Sequence, residues 1–120
     1  MALNRGNLGF TDAVQAGQTL AVYTVGSAQT AYIKGILLHN LSTIDVQNAK
    51  IHVVPNSGGS AGTASSTTEI ARVGLSTNDT YFFETAYPIT LESNGDTIQI
   101  YNEGVATDSI NVLVLGDKES

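Results

Sequence analysis

Two histidines, His39 and His52, are the side chains of this chain best suited to bind a metal or move a proton near neutral pH. Both stand in stretches of alternating apolar residues and would be neighbours if their strands paired. A metal centre needs three ligands at one depth, or two with open positions, and His52 has no carboxylate near it in sequence. The better reading is of strand histidines hydrogen-bonded to polar neighbours. Glu92 with Asp96, or Glu84 with Asp96, are imaginable acid–base pairs, but they flank turns and have no aromatic cleft around them. Asn94, Asp96 and Asp108 offer oxygens of the kind calcium takes, too thinly clustered to close a coordination shell. Asp96 follows Asn94-Gly95, a turn pair, and is expected to bond turn amides and set the register of the next strand.

Other catalytic constellations are missing from the sequence. There is no cysteine, so thiol chemistry and thiolate metal sites are excluded. No G-x-S-x-G elbow occurs, and neither glycine-rich stretch leads through Lys-Ser or Lys-Thr into a helix as a phosphate loop does. No catalytic, cofactor-binding or metal residue is assigned, and the chain is read as a non-enzyme. Five tyrosines, Tyr23, Tyr32, Tyr81, Tyr87 and Tyr101, could serve a carbohydrate as flat platforms, although half-buried strand positions explain them equally well.

The elements that carry these residues are strands. Leu20–Thr24, Thr30–Leu41, Lys50–Val54, Glu69–Leu75, Tyr81–Thr85, Pro88–Leu91, Thr97–Tyr101 and Ser109–Leu115 alternate or are rich in β-branched and aromatic residues, with turn residues between them. In the longest, Ala31, Ile33, Gly35, Leu37, His39 and Leu41 fall on one face, and Tyr32, Lys34, Ile36, Leu38 and Asn40 on the other. Gly35 marks a bulge or a close backbone approach. Pro88 excludes its segment from a central ladder. No stretch keeps helical spacing over three turns. The expectation is an all-β, single-domain β-sandwich of about eight strands with jelly-roll or Greek-key connections.

At 120 residues the chain suffices for one domain. Residues 1–18, with no alternation long enough for a strand, are expected to form an arm ordered by docking on a neighbour. Residues 19–116 form the sandwich, interrupted by the Ser- and Gly-rich stretch 56–68, flexible by composition. Residues 117–120 form a polar tail. Charged residues are only 13% of the chain, about half the usual share. The net charge of −6 is uneven: residues 1–60 carry three bases against two acids, and residues 61–120 two bases against nine acids. With no Lys/Arg cluster, nucleic acid and anionic membranes are poor partners. No apolar run reaches the length of a membrane span, and MALNRGNLGFTD lacks the pattern of a signal peptide.

The order of motifs resembles a known group. Thr30-Ala31-Tyr32-Ile33-Lys34-Gly35-Ile36-Leu37-Leu38-His39-Asn40 contains an I-x-L-x-N strand, and Leu91 to Ile98 contains a Gly-Asp turn leading into Thr97-Ile98. With Ile51-His52-Val53-Val54-Pro55 and Tyr81-Phe82-Phe83-Glu84 between them, the chain from about residue 19 to 115 resembles the small β-sandwich virion proteins of tailed bacteriophages. The resemblance implies a non-enzymatic, oligomeric part of a virion. A capsid decoration (cement) protein, favoured as a homo-oligomeric trimer on the major capsid protein at the particle's exterior, leads. A neck or tail-accessory subunit and a carbohydrate-binding surface adhesin are the alternatives. Expected partner contacts are Leu3, Arg5, Leu8 and Phe10 in the arm, Ile36 and Leu38 on one strand, and Tyr81 and Phe83 on another.

Overall fold

Period-two segments bounded by turn residues become nine antiparallel strands among the described residues. The computed structural model describes residues 3–8, 11–104 and 109–119, with the side chains of residues 3–7 left aside. Phe10 and Asp108, both singled out in the sequence, lie outside this range. The strands are β1 (Leu3–Asn7), β2 (Asp12–Gln15), β3 (Thr19–Thr24), β4 (Thr30–Asn40), β5 (Gln47–Val54), β6 (Glu69–Leu75), β7 (Thr80–Leu91), β8 (Thr97–Asn102) and β9 (Ser109–Glu119).

Their pairing is nested. β5 pairs with β6, β4 with β7, β3 with β8 and β2 with β9, each pair enclosing the previous one in sequence. The additional pairs β5–β8 and β4–β9 join these into two sheets. One sheet runs β1-β9-β4-β7, with β2 sharing the β1 edge of β9, and the other runs β3-β8-β5-β6. Such nesting across two facing sheets is a jelly roll. Between the sheets lies one apolar cluster, with Ile33, Ile36, Leu38, Ile110 and Val112 from the first sheet and Ile51, Leu75, Ile98 and Ile100 from the second.

β4 does not keep one phase. Ile33 pairs with Gly116 and Gly35 with Leu115, so Lys34 is an extra residue with no partner on β9. This bulge shifts the alternation by one. Ala31 and Ile33 point inward before it, and Ile36, Leu38 and Asn40 point inward after it. The uninterrupted alternation expected from sequence therefore holds on each side of Lys34 but not across it. Opposite the bulge, β7 pairs Ile89 with Ile33 and then Glu84 with Gly35, leaving Thr85 to Pro88 looped out. The Thr85 hydroxyl donates to the Tyr87 carbonyl at 2.6 Å and closes that excursion. Two expected short strands are thus one kinked edge strand, with Pro88 outside the ladder.

The segments expected as an arm, a polar tail and a flexible loop are bonded to the sheets over their described residues. Within the expected arm, β1 pairs with Leu115–Glu119 and β2 with Ser109–Val112. Pairing to an open strand edge uses backbone groups and needs no apolar alternation; Val14 and Leu8 are buried besides. The expected polar tail continues β9 through Glu119. There Asp117 meets the bulged Lys34 at 2.6 Å, and the Tyr32 hydroxyl donates to Glu119. The stretch 56–68 lies over the outer face of β5 and β8. Gln99 Nε2 donates to the Gly62 carbonyl at 3.0 Å, Val53 N to the Thr68 carbonyl at 3.0 Å, and Ser57 and Ser60 exchange backbone bonds of 2.8 and 3.2 Å.

Candidate assembly surface

On β4 beyond the bulge, Leu37 points away from the core. Its two cross-strand partners are Phe82 on β7 and Leu113 on β9. Directly opposed residues on neighbouring strands share a face, so Phe82, Leu37 and Leu113 form a continuous apolar ladder across three strands on the solvent side of the first sheet. Phe82 is 46% exposed, while Leu37 and Leu113 are half-buried. The Phe82 ring lies across Gly35, where a Cβ would sit 2.4 Å from Phe82 Cζ. Glycine at 35 admits the ring. At the open edge of the same sheet Tyr81 is 44% exposed and Tyr87, on the looped-out segment, 84%.

The four residues of β4 and β7 expected to touch a partner share the core-facing side of this sheet, with Leu38 opposite Tyr81. Ile36 and Leu38 are fully buried between the sheets and present no surface. Phe83, opposite Ile36, packs against the core and is half-buried. Tyr81 alone of the four is widely exposed. Leu8 is buried and donates its amide to the Val114 carbonyl at 3.1 Å. Leu3 and Arg5 stand in β1 opposite Glu119 and Asp117. Sequence reasoning missed Leu37, Phe82 and Leu113 because a one-residue shift of phase exchanges the two faces of a strand. The glycine at 35 and the lysine before it were the available signal.

A second apolar group is held by polar chemistry. Asn40 is fully buried at the end of β4. Its Nδ2 donates to the carbonyls of Asp45, Leu75 and Ser76 at 2.9, 3.2 and 3.0 Å. Its Oδ1 accepts from Ser42 N and Gln47 Nε2 at 2.9 and 2.8 Å. Ser42 Oγ then accepts from the amides of Ile44 and Asp45. The β4–β5 loop built on these bonds displays Leu41, Ile44 and Val46, with Ile44 82% exposed.

The candidate chemical groups are separated. His39 is on β4 and His52 on β5, in different sheets, and each ring bonds a threonine: His39 Nδ1 to Thr80 Oγ1 at 2.7 Å and His52 Nδ1 to Thr68 Oγ1 at 2.9 Å. Asp96 accepts from Asn56 N at 2.8 Å, Asn56 Nδ2 at 3.0 Å and Ser93 N at 3.1 Å. Partial burial pushes its carboxyl up, but the Asn56 and turn-amide bonds together outweigh that and hold it below the usual carboxylate value. As its sequence position suggested, Asp96 organises the turn, and it also clasps the start of the 56–68 loop. Glu84 belongs to β7 in the opposite sheet from β8 and makes no pair with it.

No protein-family model matches the chain, and no curated protein matches it. Among solved structures it is similar to a chain of the T13 IBDV viral particle, at 9% identity and a TM-score of 0.46, covering 98% of this chain and 34% of that one. It is also similar to a chain of infectious bursal disease virus, Gt strain, at 10% identity and a TM-score of 0.40, covering 98% and 32%. A third similarity is to the disulfide-linked pili of Bacillus endospore appendages, at 16% identity and a TM-score of 0.38, covering 100% and 94%. The chain thus spans about a third of the length of the two viral chains, and it has no cysteine of its own. Likeness at this level assigns no function.

Proposed function

We propose that this chain is a non-enzymatic structural subunit of a virion, a capsid decoration (cement) protein that binds the assembled shell of a tailed bacteriophage. The observation that carries the reading is the Phe82–Leu37–Leu113 ladder on the outer face of a domain whose core is already complete between its sheets. Contiguous exposed apolar surface marks interaction sites more often than isolated apolar residues do. The apolar β4–β5 loop supplies a second contact, so one subunit can bridge two neighbours. The resemblance of its motifs to small β-sandwich virion proteins supplies the virion context and favours a trimer on the major capsid protein.

Quantitative mass spectrometry of purified particles carrying the protein tests the location. Copies in the hundreds per particle are expected for a shell protein. Tens or fewer would move it to the neck or tail, and its absence from particles would overturn the virion reading. Replacing Phe82 and Leu113 by serine is expected to release the protein from particles while its melting temperature stays within a few degrees of wild type.

A further inference from the structure

The outer face of the second sheet carries a cavity of about 260 Å³ that the assembly surface does not use. Its floor is Lys50 and His52 of β5 with Tyr101 of β8, and its walls are Ser65 of the docked loop with Glu69 and Arg72 of β6. We infer that this cavity is a binding site for a neutral sugar, one pyranose ring of a glycan.

Three features choose that class. First, the charges cancel locally. Arg72 pairs with Glu69 at 3.3 Å, and Lys50 with Glu103 at 3.7 Å. An anion would find each cation already matched and Glu69 in the wall. A polyol meets donors and acceptors side by side, which suits adjacent hydroxyls that each give and accept a hydrogen bond. Second, the floor has an aromatic component. Tyr101 lies opposite Lys50, whose Nζ stands over one face of the ring, 5.6 Å from the centroid; sugar rings present apolar C–H groups as well as hydroxyls, and the rest of the tyrosine side chain offers both characters. Third, the site is preformed. Ser65 N donates to Thr68 Oγ1 at 2.9 Å, and Thr68 N and Oγ1 both donate to the Ser65 carbonyl at 3.1 and 3.0 Å. Thr68 in turn holds the His52 ring by Nδ1 at 2.9 Å, which fixes its orientation in the floor. Little ordering is then required on binding.

The test is a ¹H–¹⁵N NMR titration of the full chain with the methyl glycosides of glucose, galactose and N-acetylglucosamine, taken to tens of millimolar, with inorganic phosphate in parallel. Saturable shifts at the amides of His52, Ser65, Glu69 and Tyr101 with at least one sugar, and none with phosphate, are expected. Arg72→Ala on the open rim should weaken the affinity about tenfold, a change of about 1.4 kcal/mol, and Glu84→Gln on the opposite sheet should leave it unchanged. The inference is overturned if no sugar gives saturable shifts, if the shifts lie elsewhere, or if phosphate moves the same amides more strongly. Sugar shifts that persist undiminished in both Arg72→Ala and Glu69→Gln overturn it as well.

Discussion

Gly35 and Phe82 face each other across the β4–β7 pair so closely that a methyl group at residue 35 would stand 2.4 Å from the ring. The contact ties the bulge at Lys34 to the outward ladder, because the ring that covers Gly35 is the ring that Leu37 opposes. Gly35→Ala is therefore expected to destabilise the domain by about 1 kcal/mol, the low end of overpacking, because the ring end it meets is half-exposed and can turn outward. Urea titration would read this as a lower midpoint with an unchanged slope. An unchanged midpoint would show that the ring moves away freely.

Asn40 makes a different kind of contribution. Five hydrogen bonds meet at its side chain, and four of them reach the β4–β5 loop, the start of β5 or the β6–β7 turn. Asn40→Ala would strand buried partners such as the Ser42 amide, at about 1–3 kcal/mol for an unsatisfied group. Hydrogen exchange should quicken first at the amides of Ser42, Ile44 and Asp45. Uniform loss of protection across both sheets would point instead to a global effect.

Asp96 has its pKa lowered in the folded state. The stability it contributes is present above the unfolded carboxyl value of about 4 and is lost as pH falls through the lower folded value. Asp96→Asn should flatten the acid limb of the stability curve, because the amide cannot gain a charge-quenching proton there. Since the carboxylate oxygens already accept from Asn56 and Ser93, calcium and then chelator should leave the melting temperature unchanged. A calcium-dependent rise of several degrees that Asp96→Asn abolishes would reverse this assignment.

His52 has its pKa lowered, chiefly by burial, with Lys50 adding to the shift and the Glu69 charge and a bond to Ser65 opposing it. A histidine buried neutral contributes stability above its unfolded pKa of about 6.5, and that stability is lost as pH falls through the lower folded value. The unfolding midpoint should therefore drop as pH falls below that unfolded value. His52→Gln should remove that drop, and an identical profile in the variant would exclude His52 as its source.

The strands were legible because alternation and turn residues are local signals. The core strand β8 and the hairpin strand β6 begin where the sequence places them. The faces of β4 were not legible beyond Gly35, since whether a bulge takes up one residue depends on the neighbouring strands and not on the strand's own pattern. For the same reason Ile36, Leu38 and Phe83, expected as contact residues, turn out to face the core. β1 and β2 escaped notice because edge pairing is a matter of backbone groups on β9, about a hundred residues away. The 56–68 loop looked free because its anchors, Gln99 and Asp96, come from a distant part of the chain. Asp96 itself was readable, its role being set by the turn around it.

The nested pairing also bears on how the chain can close its sheets as it is made. β5 and β6 can meet as soon as both exist, and each later pair must close a longer loop at a higher entropic cost. β9 follows every other strand, yet it lies between β4 and the β1–β2 edge. Until it arrives, the first sheet has no centre, and Ile36 and Leu38 lack their partners Val114 and Val112. Until β9 has paired, the first sheet's side of the core therefore stays open, and a fold closed by such distant pairings is of the kind whose topology slows folding.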